Sequence, residues 1–247
     1  MTRPIFPLLR DHEASSLELR QRIALPPTSK LNSLGVALLE NPCLSQPFMK
    51  AIHGLRDLMI FHHFGSQNPS LFDNNNKELL FKLCYEVEHD LLSYPYRSSS
   101  DGRRSGGRTD LHPVETVARV ASICFTNYVI IVSPPGTGLG RALTKQLKGT
   151  LTICTLDSFP RLSPACHDLV AWALFIGAQG ALGQPERPWF VHHLAEVVTL
   201  RGWTEWEEVA EIMSDYFYIP YIHDLVWQPI WDEVTDSLTV SELSVTP

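Results

Sequence analysis

The amino-acid sequence predicts an all-α fold, a single domain of about eight to ten packed helices. Three observations predict it. Apolar residues recur at spacings of three and four along most of the chain. No stretch of convincing length alternates apolar with polar residues as a half-buried strand does, and prolines and glycines fall between the helical runs. The 247 residues, 44% hydrophobic and 19% charged, are enough to fill one core and too apolar to remain unfolded. No internal repeat is visible.

Residues 1–44 read as an N-terminal helical extension: a weak helix from Asp11 to Ile23, a break at Pro26 and Pro27, and a resumption over Lys30 to Leu39. The main helical domain is placed at residues 45–236. Pro47 suits the first turn of a helix whose Ile52, Leu55, Met59, Ile60 and His63 share a face, ending near Gly65. Asp73 is placed to cap the next, with Leu79, Leu80, Leu83, Val87, Leu91 and Leu92 on one face and an end before Pro95. Asp110 and Pro113 introduce a central helix whose second half is apolar all round through Phe125, Tyr128 and Val129. Pro134 to Gly140 make a turn, and a helix from Arg141 to Leu156 follows, although the β-branched residues of 150–155 weaken it.

Ser163-Pro164 is a helix entry, and Leu169, Trp172, Ala173, Ile176 and Gly177 form a small-residue face that predicts a close helix pair. Pro188 opens the next helix, which Arg201-Gly202 closes with a cation and a glycine. Thr204 and Glu207 stand at capping-box spacing before Trp206, Val209, Ile212 and Met213. A last helix is expected from about His223 or Gln228 to Val234, and residues 237–247 form a polar, loose tail.

Charge and cysteine usage exclude several functions. A net charge of -7 opposes any groove that must neutralise phosphates, so direct nucleic-acid binding is not expected. The arginine-dense stretch Arg97 to Arg108 is diluted by serine and glycine and reads as a solvated loop. Cys43, Cys84, Cys124, Cys154 and Cys166 are widely spaced in apolar surroundings, as buried thiols in a reducing compartment would be. No two are close enough in sequence to begin a zinc finger or a six-cysteine binuclear zinc cluster. The longest apolar region, Val120 to Val132, is too short and too interrupted to span a membrane, and the N-terminus has no secretory pattern. Nucleus or cytoplasm is the expected location.

Motifs that suggest chemistry are incomplete. Pro134-Pro135-Gly136-Thr137-Gly138 resembles the start of a phosphate-binding loop, but Leu139-Gly140 replaces its lysine and hydroxyl, and a helix precedes it where a strand is required. Among ten histidines, the pairs His62-His63 and His192-His193 point about 100° apart on a helix and are not expected to chelate alone. Glu86 and His89 have di-iron spacing without a matching pair elsewhere. No metal or cofactor is therefore assigned. No serine sits in a nucleophile elbow, and Cys124 and Cys166 read as inert. The six tryptophans all lie in the last third, where they line either a ligand pocket or an aromatic core.

The order of short pieces carries a resemblance: Leu91-Leu92-Ser93, then Pro113 through Ala121, Leu169 through Ala178, Arg187-Pro188-Trp189-Phe190-Val191, Leu194 through Val197, Trp206 through Val209, and Ile230 through Val234. Over roughly residues 45 to 235 this run is similar to the fungal-specific transcription factor domain, the regulatory part of zinc binuclear cluster transcription factors. The resemblance implies an all-α domain that controls transcription of a fungal metabolic pathway through a small-molecule effector or a partner protein, with no catalytic motif. The family places a six-cysteine module before this domain, and none is readable after Met1. The expected partners are a protein or a small-molecule effector, with a homodimer as a further option. Trp172, Trp189, Phe190, Trp206 and Trp231 are the residues expected to line the ligand or partner groove. The alternative is a helical carrier or enzyme on the same scaffold, whose acid-base groups would come from His167, Asp168, His192, His193, Tyr221, His223 and Asp224.

Overall fold

A computed structural model describes residues 25–96, 111–155 and 162–243. The Asp11–Ile23 helix, the Arg97–Arg108 loop and the last four residues of the tail lie outside the described residues. Among those described there are nine α-helices and no strand. We number them α1 (Val36–Leu39), α2 (Gln46–Gln67), α3 (Asn74–Ser93), α4 (Pro113–Phe125), α5 (Gly138–Thr155), α6 (Pro164–Gly180), α7 (Arg187–Arg201), α8 (Trp206–Ser214) and α9 (Pro220–Leu243). The all-α expectation holds, in a single packed arrangement.

Helix ends obey local chemistry. Asp73 Oδ1 accepts from the Asn76 amide at 2.8 Å, and Ser163 Oγ accepts from the Cys166 amide at 3.4 Å, each satisfying a first-turn donor. Gly202 closes α7 with φ +68°, a conformation a Cβ would strain. The Thr204–Glu207 capping box does not form: Glu205 takes the cap position with no side-chain bond. Asp110 is outside the described residues, and His112 caps α4, its Nδ1 accepting from Val114 N at 3.3 Å.

Consecutive helices pack as pairs, α2 with α3, α4 with α5 and α6 with α7, and α9 lies across α6 and α7. α6 is the hub, touching α1, α4, α5, α7, α8 and α9. From Cys166 to Gly180 only Asp168 and Gln179 escape full burial, so the face expected from the sequence is a helix buried all round. Its glycines make the close approaches possible. A Cβ on Gly177 would lie 2.1 Å from Phe190 Cε1, and one on Gly180 would lie 2.4 Å from Tyr128 Cε2.

The structure differs from the sequence expectation at several points. α4 does not end simply: it widens into a π-turn over Thr126–Ile130, with Ile131 N donating to Thr126 O at 3.1 Å. α9 begins at Pro220, passes through the exposed Pro229 and reaches Leu243, because Trp227, Ile230, Trp231 and Val234 bury on both sides of the proline. Residues 237–243, expected in the loose tail, are thus helical, and Leu238 packs against the core. Leu92, placed on the inner face of α3, is exposed, while Glu86 and Asp90 are buried there. Leu34, Leu38 and Leu44, from the segment read as an extension, are buried in the same core.

One buried anchor was not read from the sequence. Glu115, 2% exposed on α4, accepts from the Ser45 amide (2.9 Å), Ser45 Oγ (2.7 Å) and Tyr94 Oη (2.9 Å). A carboxylate with three donors fixes the N-cap residue of α2 against α4 and the end of α3.

Candidate functional site

The hub helix, the end of α4 and the chain around α8 and α9 enclose an aromatic interior. Phe125 ends α4 and faces Trp172 (ring centroids 6.2 Å apart), Phe217 (5.6 Å) and His223 (5.7 Å). Trp172 stacks on Tyr216 at 5.8 Å, and Phe175 stacks on Trp227 at 5.0 Å. Trp206 and Trp231 extend the cluster outward, 6.4 Å apart. The run Tyr216-Phe217-Tyr218 between α8 and α9 supplies two of these rings and a third, Tyr218, 5.6 Å from Trp227. That aromatic run was the sequence signal for this part of the cluster, and it went unused.

Polar atoms inside such a cluster need partners. Most have them: Trp227 Nε1 donates to Gln179 Oε1 at 2.9 Å, and Tyr216 Oη donates to Ala165 O at 3.1 Å. Trp172 Nε1 and His223 Nε2 have none, although the residues are 0% and 1% exposed. His223 Nδ1 lies 2.9 Å from Ile219 N and 3.0 Å from Ile219 O, so it accepts from the one or donates to the other according to the ring's tautomer. Burial pushes the His223 pKa down to about 4, outweighing the opposite pull of its Ile219 backbone bond, so the ring is neutral at pH 7. Two unpartnered ring nitrogens, the donor Trp172 Nε1 and His223 Nε2, therefore belong to rings that face Phe125.

The residues expected to line a groove fall in two places. Trp172 and Phe190 have no exposed surface and Trp231 has little, so they belong to the core, with Trp206 at its partly exposed edge. Trp189 stands apart on α7, edge-on to Phe190 at 5.1 Å and stacked on His193 at 4.1 Å. An open groove lined by all five does not form, because packing α6 among six neighbours places its tryptophan inside.

The acid-base candidates are committed separately. Asp168 accepts from Arg201 Nε at 2.8 Å across α6 and α7; burial raises its pKa, and the arginine partly reverses this. Asp224 accepts from the Tyr218 hydroxyl. Tyr221 Oη lies 3.0 Å from both His63 Nδ1 and Ser66 Oγ, tying α9 to α2. His167 is buried at the start of α6. His223 belongs to the aromatic interior.

His192 and His193, not expected to chelate alone, have a third potential ligand beside them. With Glu196 one turn later, each offers a ligand atom within 4.8 Å of the others. The missed signal was the i,i+4 spacing of His192 and Glu196. Elsewhere, Glu86 is buried beside Lys82 while His89 sits beside Asp90, so that helical pair does not form one site. The phosphate-loop-like turn is a helix start: Thr137 Oγ1 donates to Pro134 O at 2.8 Å and accepts from Gly140 N at 3.2 Å. All five cysteines are free, and burial pushes the thiols of Cys84 and Cys124 up to about 12. No helix among the described residues is long and apolar enough to cross a membrane.

No protein-family model, curated protein or solved structure matches the chain.

Proposed function

We propose that this chain is a regulatory domain of the fungal transcription factor type, which senses a small-molecule effector in its aromatic interior and acts on transcription through a partner protein. The supporting observation is the pair of unpartnered buried nitrogens, Trp172 Nε1 and His223 Nε2, on rings that face Phe125. A buried polar atom left without a partner costs about 1–3 kcal/mol, and two around one ring are an expensive feature to keep without use. A flat, largely apolar effector carrying a carbonyl or ether oxygen would accept from Trp172 Nε1 and stack on the surrounding rings. The separate commitment of Asp168, Tyr221 and Asp224 also favours binding over acid-base catalysis.

A gain-of-function assay tests the reading. The chain is fused to a heterologous DNA-binding module upstream of a reporter, with and without fungal metabolite extracts. Reporter output should change with extract in the wild type, and Trp172→Phe should blunt the change. An output equal to that of the DNA-binding module alone, under every extract, contradicts the proposal.

A further inference from the structure

The outer face of α7 carries a second constellation, independent of the effector reading. His192 Nε2 and Glu196 Oε1 stand 3.6 Å apart on adjacent turns, both side chains more than half exposed at 69% and 53%. The His193 ring lies 5.2 Å from that of His192, at right angles to it. One ligand atom from each of the three lies within 4.8 Å of the others. A tetrahedral cation with bonds of ~2.0–2.1 Å holds its donors ~3.4 Å apart, a contraction that exposed side-chain ends can make.

His193 is already prepared as a ligand. Its Nδ1 lies 2.9 Å from Trp189 O. A carbonyl only accepts, so Nδ1 carries the proton and Nε2 keeps the free lone pair. Ligating histidines are oriented in this way, by a hydrogen bond from the nitrogen that does not bind metal. The ring is further held by its stack on Trp189, which packs on the buried Phe190 and lies 5.3 Å from Lys148 Nζ on α5. The third ligand therefore stands on a rigid support, while the other two are free to close.

Two imidazoles and a carboxylate select the cation. Magnesium and calcium prefer oxygen-only shells, whereas zinc accepts this mixture with three protein ligands and one open position. The geometry points to a zinc-class divalent cation site at His192, His193 and Glu196, its fourth position open to water or to a group from another molecule.

Equilibrium dialysis of the full chain against micromolar Zn²⁺, with bound metal counted by mass spectrometry, tests this. The comparison set is wild type, His192→Ala, Glu196→Gln and a Cys43→Ser/Cys166→Ser double variant, since the two thiols lie 3.7 Å apart and are the competing zinc ligands. The wild type and the double-cysteine variant should bind one Zn²⁺ per chain. His192→Ala and Glu196→Gln should each weaken binding by more than about tenfold. Both changes fall on exposed side chains, so their metal-free thermal midpoints should equal that of the wild type. No zinc uptake by the wild type, undiminished uptake by both α7 variants, or loss of uptake only in the cysteine variant overturns the assignment.

Discussion

α6 and α7 follow one another in the chain and pack together, yet their polar residues carry different information. α6 is buried all round, so every polar atom it brings inside must be accounted for, and the lone Trp172 Nε1 stands out. α7 buries Phe190, Leu194, Val197 and Val198 and turns His192 and Glu196 to solvent, where polar atoms cost nothing. There, only mutual geometry makes a residue worth notice. An interior site is found by what is missing, and a surface site by what is gathered.

The comparison can be broken at its extremes. The largest effect is expected from acid. The folded-state pKa of His223 lies near 4, below the ordinary 6.5, so the folded state resists protonation and the unfolded state does not. This contribution is complete above pH 6.5 and declines as the pH falls toward 4, by about 3 kcal/mol in all. Urea midpoints measured from pH 7 to pH 4 should fall more steeply in the wild type than in His223→Phe; parallel curves would place His223 outside the core.

Next comes the seam between α6 and α7. Gly177→Ala should cost about 2–3 kcal/mol in chemical denaturation, because its Cβ would meet the Phe190 ring at 2.1 Å. A cost under about 0.5 kcal/mol would mean that the helices pack more loosely than described.

Asp168→Asn should change stability by under about 1 kcal/mol at pH 7, since burial of the carboxylate offsets its attraction to Arg201. Its pH dependence runs opposite to that of His223. The raised pKa penalises the charged form in the folded state, and that penalty disappears as the pH falls through the folded value. A chemical-denaturation series from pH 7 to pH 4 should therefore show the wild type gaining on Asp168→Asn. The smallest effect is at the surface: without metal, Glu196→Gln should leave the thermal midpoint unchanged, within about 0.5 kcal/mol.

Features fixed by a few neighbouring residues were legible in the sequence. The Asp73 and Ser163 caps, the αL glycine at 202 and the close pairing at Gly177 each follow from local chemistry or residue size. Features decided by distant packing were not. The last helix, expected from about His223 or Gln228 to Val234, runs from Pro220 to Leu243, and burial of Trp227 and Trp231 on either side of Pro229 carries it through the proline. Leu92 fits a heptad face that the actual burial of Glu86 and Asp90 rotates away from. Trp172 and Phe190 read as groove residues because a sequence does not say how many neighbours a helix will have. The gathering of His192, His193 and Glu196 depends on side-chain reach, which the backbone direction of two adjacent helical residues does not show.

Whether the aromatic interior receives the proposed effector is read most directly by native mass spectrometry of the chain purified from cells. One small molecule per wild-type chain is expected, released chemically unchanged on denaturation, and lost from a folded Trp172→Phe/His223→Phe double variant. A wild-type chain that carries nothing and shows no thermal shift across a metabolite panel, or one that retains the same molecule after both substitutions, would contradict it.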